Sequence, residues 1–130
     1  MESGKQRTGK AGEKLAFQYL AERQYVMIAK NIRVGRLGEI DIICWEPDGV
    51  TVCFTEVKTR SSTRFGTPAE AVTAAKQRRI RMMAQLWLQG IEKSSAYHRC
   101  YDAPIRFDVI EVMMDKKNNS ARVHLIPNAF

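Results

Sequence analysis

The chain has 130 residues, 45% hydrophobic and 27% charged, a composition that gives one folded domain spanning 1–130 and excludes extended disorder and two full-sized domains. Its uninterrupted apolar runs, Ile42–Trp45 and Leu86–Leu88 among them, fall far short of the ~18 residues of a membrane span. The polar stretch Met1–Lys10 lacks the apolar core of a secretory signal and reads as a flexible N-terminus, so a cytoplasmic protein with no membrane partner is expected. Lys and Arg number 21 against 14 Asp and Glu, a formal net charge of +7; this suits a polyanion, nucleic acid first and an acidic protein or anionic surface second.

In chain order, Ala11, Leu15, Ala16, Tyr19 and Leu20 have helical spacing and predict an amphipathic helix from Ala11 to Gln24. Tyr25 to Val34 is rich in β-formers and ends at Gly35, which predicts a strand, and Glu39 to Glu46 a second one after the turn Gly35–Gly38. Pro47-Asp48-Gly49 reads as a two-residue type I′ hairpin turn, because Asp-Gly accepts positive φ angles, with a third strand from Val50 to Lys58. Thr59 to Gly66 is polar and reads as a loop. Thr67-Pro68-Ala69-Glu70 has the form of a capping box opening a helix to about Gln89, with a break near Thr73. Strands Arg106 to Met114 and Arg122 to Ile126, joined by Lys116–Asn119, complete the chain. Helix, three strands, helix and two strands predict an α/β domain, a mixed β-sheet flanked by α-helices.

The three cysteines form no C-x-x-C, and His98 and His124 have no ligand spacing, so zinc and thioredoxin motifs are unsupported. Cys44 and Cys53 lie in apolar stretches and read as small core residues. A metal in this chain would be a hard, oxygen-liganded cation such as Mg²⁺ or Mn²⁺.

Strand alternation puts Glu56 and Lys58 on one face with Val52 and Phe54, and Asp41 on one face with Glu39 and Ile43. A two-residue turn at Asp48-Gly49 sets Asp41 opposite Glu56 and Glu39 opposite Lys58. Two carboxylates facing one another repel. A divalent cation between them offsets that repulsion; so does a solvated face on which Glu39 pairs with Lys58.

The run Gly38-Glu39-Ile40-Asp41-Ile42-Ile43 followed by Glu56-Val57-Lys58-Thr59-Arg60 resembles the D…E-x-K core of the PD-(D/E)XK restriction-endonuclease-like superfamily. Gly12-Glu13, Asn31-Ile32-Arg33, Phe65-Gly66-Thr67-Pro68, Lys76 and Arg106-Phe107-Asp108-Val109 extend the resemblance to the YraN endonuclease-like family across nearly the whole chain, with Ile40 in the place of the superfamily's proline. The resemblance implies a restriction-endonuclease-like fold and Mg²⁺- or Mn²⁺-dependent hydrolysis of DNA, branched or flapped forms included, with RNA an open alternative. It implies Asp41, Glu56 and the Val57 carbonyl as metal ligands and Lys58 as the group that orients or activates water. Glu13 resembles a helix-borne glutamate that completes the site in junction-resolving relatives; an exposed first-turn acid favouring the helix dipole is the other account.

From Thr73 to Ile91 the chain carries Lys76, Arg78, Arg79 and Arg81 and no acid. Ile80, Met83, Ala84, Trp87 and Ile91 form the stripe that packs on the sheet, with Arg78, Arg81, Gln85 and Gln89 opposite. Lys76 falls on the stripe side, either aimed at the sheet's carboxylates or snorkelling past the core edge. Arg60 and Arg64, just past Glu56-Val57-Lys58, are expected to clamp phosphate. Asp108 is expected to pair structurally, and Met82-Met83 and Met113-Met114 to pack. A non-catalytic nucleic-acid-binding or protein-interaction module of the same fold is the competing function.

Overall fold

The computed structural model describes residues 4–61, 72–91, 97–115 and 117–130. In chain order these form helix α1 (Gly4–Glu22), strands β1 (Val26–Val34), β2 (Gly38–Trp45) and β3 (Val52–Arg60), helix α2 (Ala74–Gln89), a 3₁₀ turn at His98–Cys100, and strands β4 (Ile105–Asp115) and β5 (Ser120–Ile126). The five strands form one sheet in the order β1-β2-β3-β4-β5. Only β3 and β4 run parallel; the other neighbours are antiparallel. The expected α/β architecture is therefore present: a mixed sheet with a helix on either face. Among the described residues no helix is long and apolar enough to cross a membrane.

Each helix covers one apolar layer. Ala16 and Leu20 of α1 pack with Ile42, Cys44, Cys53, Ile110 and Val112. Ile80, Met83 and Ala84 of α2 pack with Ile40, Ile43, Phe54, Phe107 and Val109. Gly12, Ala16 and Leu20 recur every fourth residue, and all three are buried, so they lie along one face of α1. At Gly12 the helix comes so close to β3 that an added Cβ would stand 2.9 Å from Thr59 Cβ. The helix itself starts at Gly4, seven residues before the apolar spacing begins. It stops at Glu22 because Gln24 turns left-handed (φ 71°), and the Tyr25 and Gln24 N–H groups donate back to the Leu20 and Ala21 carbonyls at 3.0 and 3.1 Å, a Schellman ending.

The β2–β3 hairpin corrects one expectation and keeps another. Its turn is not type I′, since Gly49 has positive φ (71°) but Asp48 does not. Instead the Gly49 N–H donates to the Glu46 carbonyl at 2.8 Å and the Glu46 N–H to the Thr51 carbonyl at 2.9 Å, while Asp48 Oδ1 accepts the Val50 and Thr51 N–H groups at 2.8 and 3.1 Å. Four loop residues in place of two leave the parity unchanged, so Trp45 pairs with Val52 and Ile42 with Thr55, in the expected register. Three further differences follow. β3 continues through Thr59 to Arg60, so Arg60 belongs to a strand and not to a loop. Thr73 caps α2, its hydroxyl accepting the Lys76 N–H at 3.2 Å, where the break in helical pattern was expected. The capping box at Thr67–Glu70, with Arg64 and Phe65, lies outside the described residues.

On β4, Asp108, 1% exposed, takes a two-point contact from Arg106 (2.8 and 2.9 Å) and the Asn128 N–H at 2.8 Å. Arg106 also reaches the Tyr25 hydroxyl at 3.0 Å and Glu46 at 3.3 Å. Asp108 is thus structural, as expected. All three cysteines are free and buried; Met83 is core while Met82 is exposed.

Candidate functional site

The β2–β3 ladder ends at Ile42–Thr55. Beyond that rung β2 stays paired to β1 and β3 to β4, so the two strands part. Asp41 stands at the fork. Its Oδ2 accepts the Val57 N–H at 2.8 Å, satisfying a β3 donor that the departing strand leaves free. The Glu56 carboxylate stands near enough for its charge to act on Asp41.

Alternation along β2 does not run through this point. Ile40 and Ile43 join the layer under α2 while Ile42 and Cys44 join the layer under α1, so Asp41 does not simply share a face with Glu39 and Ile43. Across from it in β1, between the Lys30–Ile42 and Ile32–Ile40 pairs, Asn31 adopts a left-handed conformation (φ 50°). The Asn31 side chain acts on Glu13, working to lower its pKa. Asn tolerates this conformation better than other side chains, and an Asn inside a run of β-formers was the sequence signal that could have marked it.

Glu13 comes to the same place from α1, one residue after the Gly12–Thr59 approach. Its pKa is raised by burial, against the Asn31 side chain, with Glu39 and Glu56 adding to the rise. Asp41 is pushed up to about 7, first by burial and then by the Glu56 charge, with the Val57 hydrogen bond opposing and Glu13 adding to the rise. Two carboxylates this close and this poorly solvated resist ionising together.

Lysines answer them. Lys76 Nζ, from α2, lies 2.7 Å from Glu56 Oε1, so it does turn to the sheet's carboxylates. Lys58 Nζ lies 3.7 Å from the same oxygen. Burial and the neighbouring Lys76 lower the Lys58 pKa. For Lys76 burial works the other way, but Glu56 holds its pKa above the usual value. The expected Glu39–Lys58 rung is absent because the ladder stops before it; Glu39 is exposed.

The basic residues divide. Arg60 Nε pairs with Glu111 at 3.3 Å and is 18% exposed. Arg78 and Arg79 are exposed. Arg81 is exposed too, yet its guanidinium lies over the Phe107 ring at 4.7 Å and the Phe130 ring at 5.5 Å. Arg64 lies outside the described residues. Among the described residues no group of three or more His, Cys, Asp or Glu is placed to hold a metal ion.

Residues 12–112, from the glycine that seats α1 to the middle of β4, match the uncharacterised protein family UPF0102. The chain belongs to UPF0102. Family members similar to it include proteins of Symbiobacterium thermophilum (45% identical, covering 95% of this chain and 96% of that one) and Acetivibrio thermocellus (44%, covering 98% and 94%). A third, of Caldicellulosiruptor saccharolyticus, is 40% identical and covers 97% and 98%. Among solved structures, Pyrococcus furiosus SfsA in complex with Ca²⁺ superposes with a TM-score of 0.39 at 18% identity, over 95% of this chain and 62% of that one, a likeness too distant to inform the site.

Proposed function

We propose that this UPF0102 member is a cytoplasmic, Mg²⁺- or Mn²⁺-dependent endonuclease of the YraN type, within the PD-(D/E)XK superfamily, hydrolysing phosphodiester bonds in DNA, branched or flapped forms included. One observation carries the reading: the fork in the sheet brings the Asp41 and Glu56 carboxyls together, with Lys58 3.7 Å from Glu56. The donor chemistry fits. Asp41, Glu56 and the Val57 carbonyl are hard oxygen donors, and Mg²⁺ is held by one or two carboxylates and completes its shell with water and phosphate. A cation there supplies Lewis acidity toward water and a phosphate oxygen.

The chain's own residues supply the rest. Lys58 places positive charge where the phosphorus centre gains negative charge. Glu13 adds a third carboxylate from α1, near enough to act on Asp41, and Lys58 orients or activates the attacking water. Arg78, with Arg64, offers charge to the phosphates on either side; Arg60, Lys76 and Arg81 do so only by loosening the contacts they already make.

The test is a cleavage assay on linear, single-stranded, flapped and four-way DNA, with an RNA control, in Mg²⁺ or Mn²⁺. Lys58→Met should fold and bind DNA while cleavage falls about a hundredfold or more, as for other lost electrostatic donors. Unchanged cleavage would reduce Lys58 to a structural partner of Glu56. The Lys76–Glu56 ion pair favours a second reading, because a lysine of the chain itself neutralises Glu56 at 2.7 Å: a nucleic-acid-binding module without turnover. Wild-type protein that binds DNA and cleaves none of these substrates would establish it.

A further inference from the structure

Lys76 sits in the first turn of α2, its backbone fixed by the Thr73 cap. Its ammonium crosses to the sheet and meets Glu56 Oε1 at 2.7 Å, where Lys58 stands 3.7 Å away. Two cations therefore crowd one carboxylate oxygen, while neighbouring Asp41 holds a backbone N–H. The Lys76 side chain is 26% exposed and that of Glu56 11%, so solvent screens their charges only in part. A divalent cation between Asp41 and Glu56 would meet this ammonium at short range, and like charges a few ångströms apart in such surroundings repel strongly.

We propose that Lys76 is a tethered counter-ion: it occupies Glu56 in the metal-free protein and must leave that carboxylate for a cation to enter. This rests on the reading of Asp41 and Glu56 as metal ligands. A lysine stem is flexible and its root here is rigid, so the released ammonium stays within reach of the site, where a phosphate oxygen is its next partner. Substrate phosphate and cation then favour one another's binding, since each relieves a cost imposed on the other.

The experiment is a Mn²⁺ titration of the full chain without nucleic acid, followed by electron paramagnetic resonance, for wild type, Lys76→Met, Lys76→Arg and Asp41→Ala. Removing the ammonium should tighten Mn²⁺ binding about tenfold or more; Lys76→Arg, which keeps the charge, should stay near wild type, and Asp41→Ala should lose the site. Should Lys76→Met fail to fold, Lys76→Gln takes its place with the same expectation, since it too is neutral but keeps a polar end at the partly exposed edge of the site. Binding that is unchanged or weaker in the neutral variants, while Asp41→Ala still abolishes it, would overturn the counter-ion role and leave the metal site standing. Asp41→Ala binding Mn²⁺ like wild type, or no binding by any form, would overturn the metal-ligand reading and the counter-ion role with it.

Discussion

Asp41 gives the site a pH dependence whose sign is fixed by its environment. Its carboxyl titrates near 7 in the fold against ~3.9 in an unfolded chain. An acid harder to ionise when folded costs the native state stability as pH rises between those two values. Glu13, also raised, acts in the same direction. The metal-free protein should therefore melt at a lower temperature near pH 7.5 than near pH 5, and Asp41→Asn should flatten that slope, both read from thermal melts across pH. A bound cation stabilises the ionised form, so Mn²⁺ should raise the melting temperature most at the upper end of the range. A wild-type melting temperature that climbs between those pH values, in parallel with Asp41→Asn, would contradict the buried-carboxyl account.

Among the elements, α1 is tied to the site by the smallest side chain it has. Gly12 lets the helix lie against Thr59, and the next residue is Glu13. Gly12→Ala forces backbone or Thr59 to move, a cost of about 1–3 kcal/mol for overpacking, and should lower the melting temperature; Gly12→Ala with Thr59→Ser, which removes one of the crowding atoms, should recover part of it. Elements of this kind were legible in the sequence to different depths. The chain order of helices and strands and the hairpin register could be read from alternation and turn residues, and the register holds with a different turn because two-residue and four-residue loops share the same parity. The early start of α1 was not legible, since Gly4 to Lys10 carries no apolar period. Nor was the fork: period-two patterning predicts a ladder that continues past Ile42, while at the break the Asp41 side chain takes the Val57 N–H and Asn31 across the sheet is left-handed. Asp41, Glu56 and Lys58 could be singled out from spacing and resemblance; Asn31 carried only the fainter signal of an Asn among β-formers, and its left-handed backbone comes from tertiary structure.

Across the whole molecule the net charge of +7 sets the expected response to salt. Nucleic-acid affinity should fall steeply as salt rises, because each neutralised phosphate releases counterions. The basic residues of α2 should not contribute alike. Arg78 is exposed, whereas Arg81 is held over Phe107 and Phe130. Arg78→Ala should flatten the salt slope by roughly one unit, while Arg81→Ala should change it less and instead cost about 0.5–1 kcal/mol of stability. Equal slopes for wild type and Arg78→Ala in filter-binding titrations would remove that face of α2 from the interface.

The parallel pairing of β3 with β4 also bears on how the chain reaches its structure. Glu56 lies beside Val109, about fifty residues onward, whereas β1, β2 and β3 are joined by short turns. Closing so long a loop carries an entropy cost that adjacent strands avoid. The meander of β1 to β3, carrying Asp41 and Glu56, is therefore the segment able to form early, and docking of α2 and β4 the step that sets the rate. Lys76 arrives with that step, so the two acids meet before their cation does. Refolding should accordingly be faster at mildly acidic pH, where one of the two carboxyls keeps its proton.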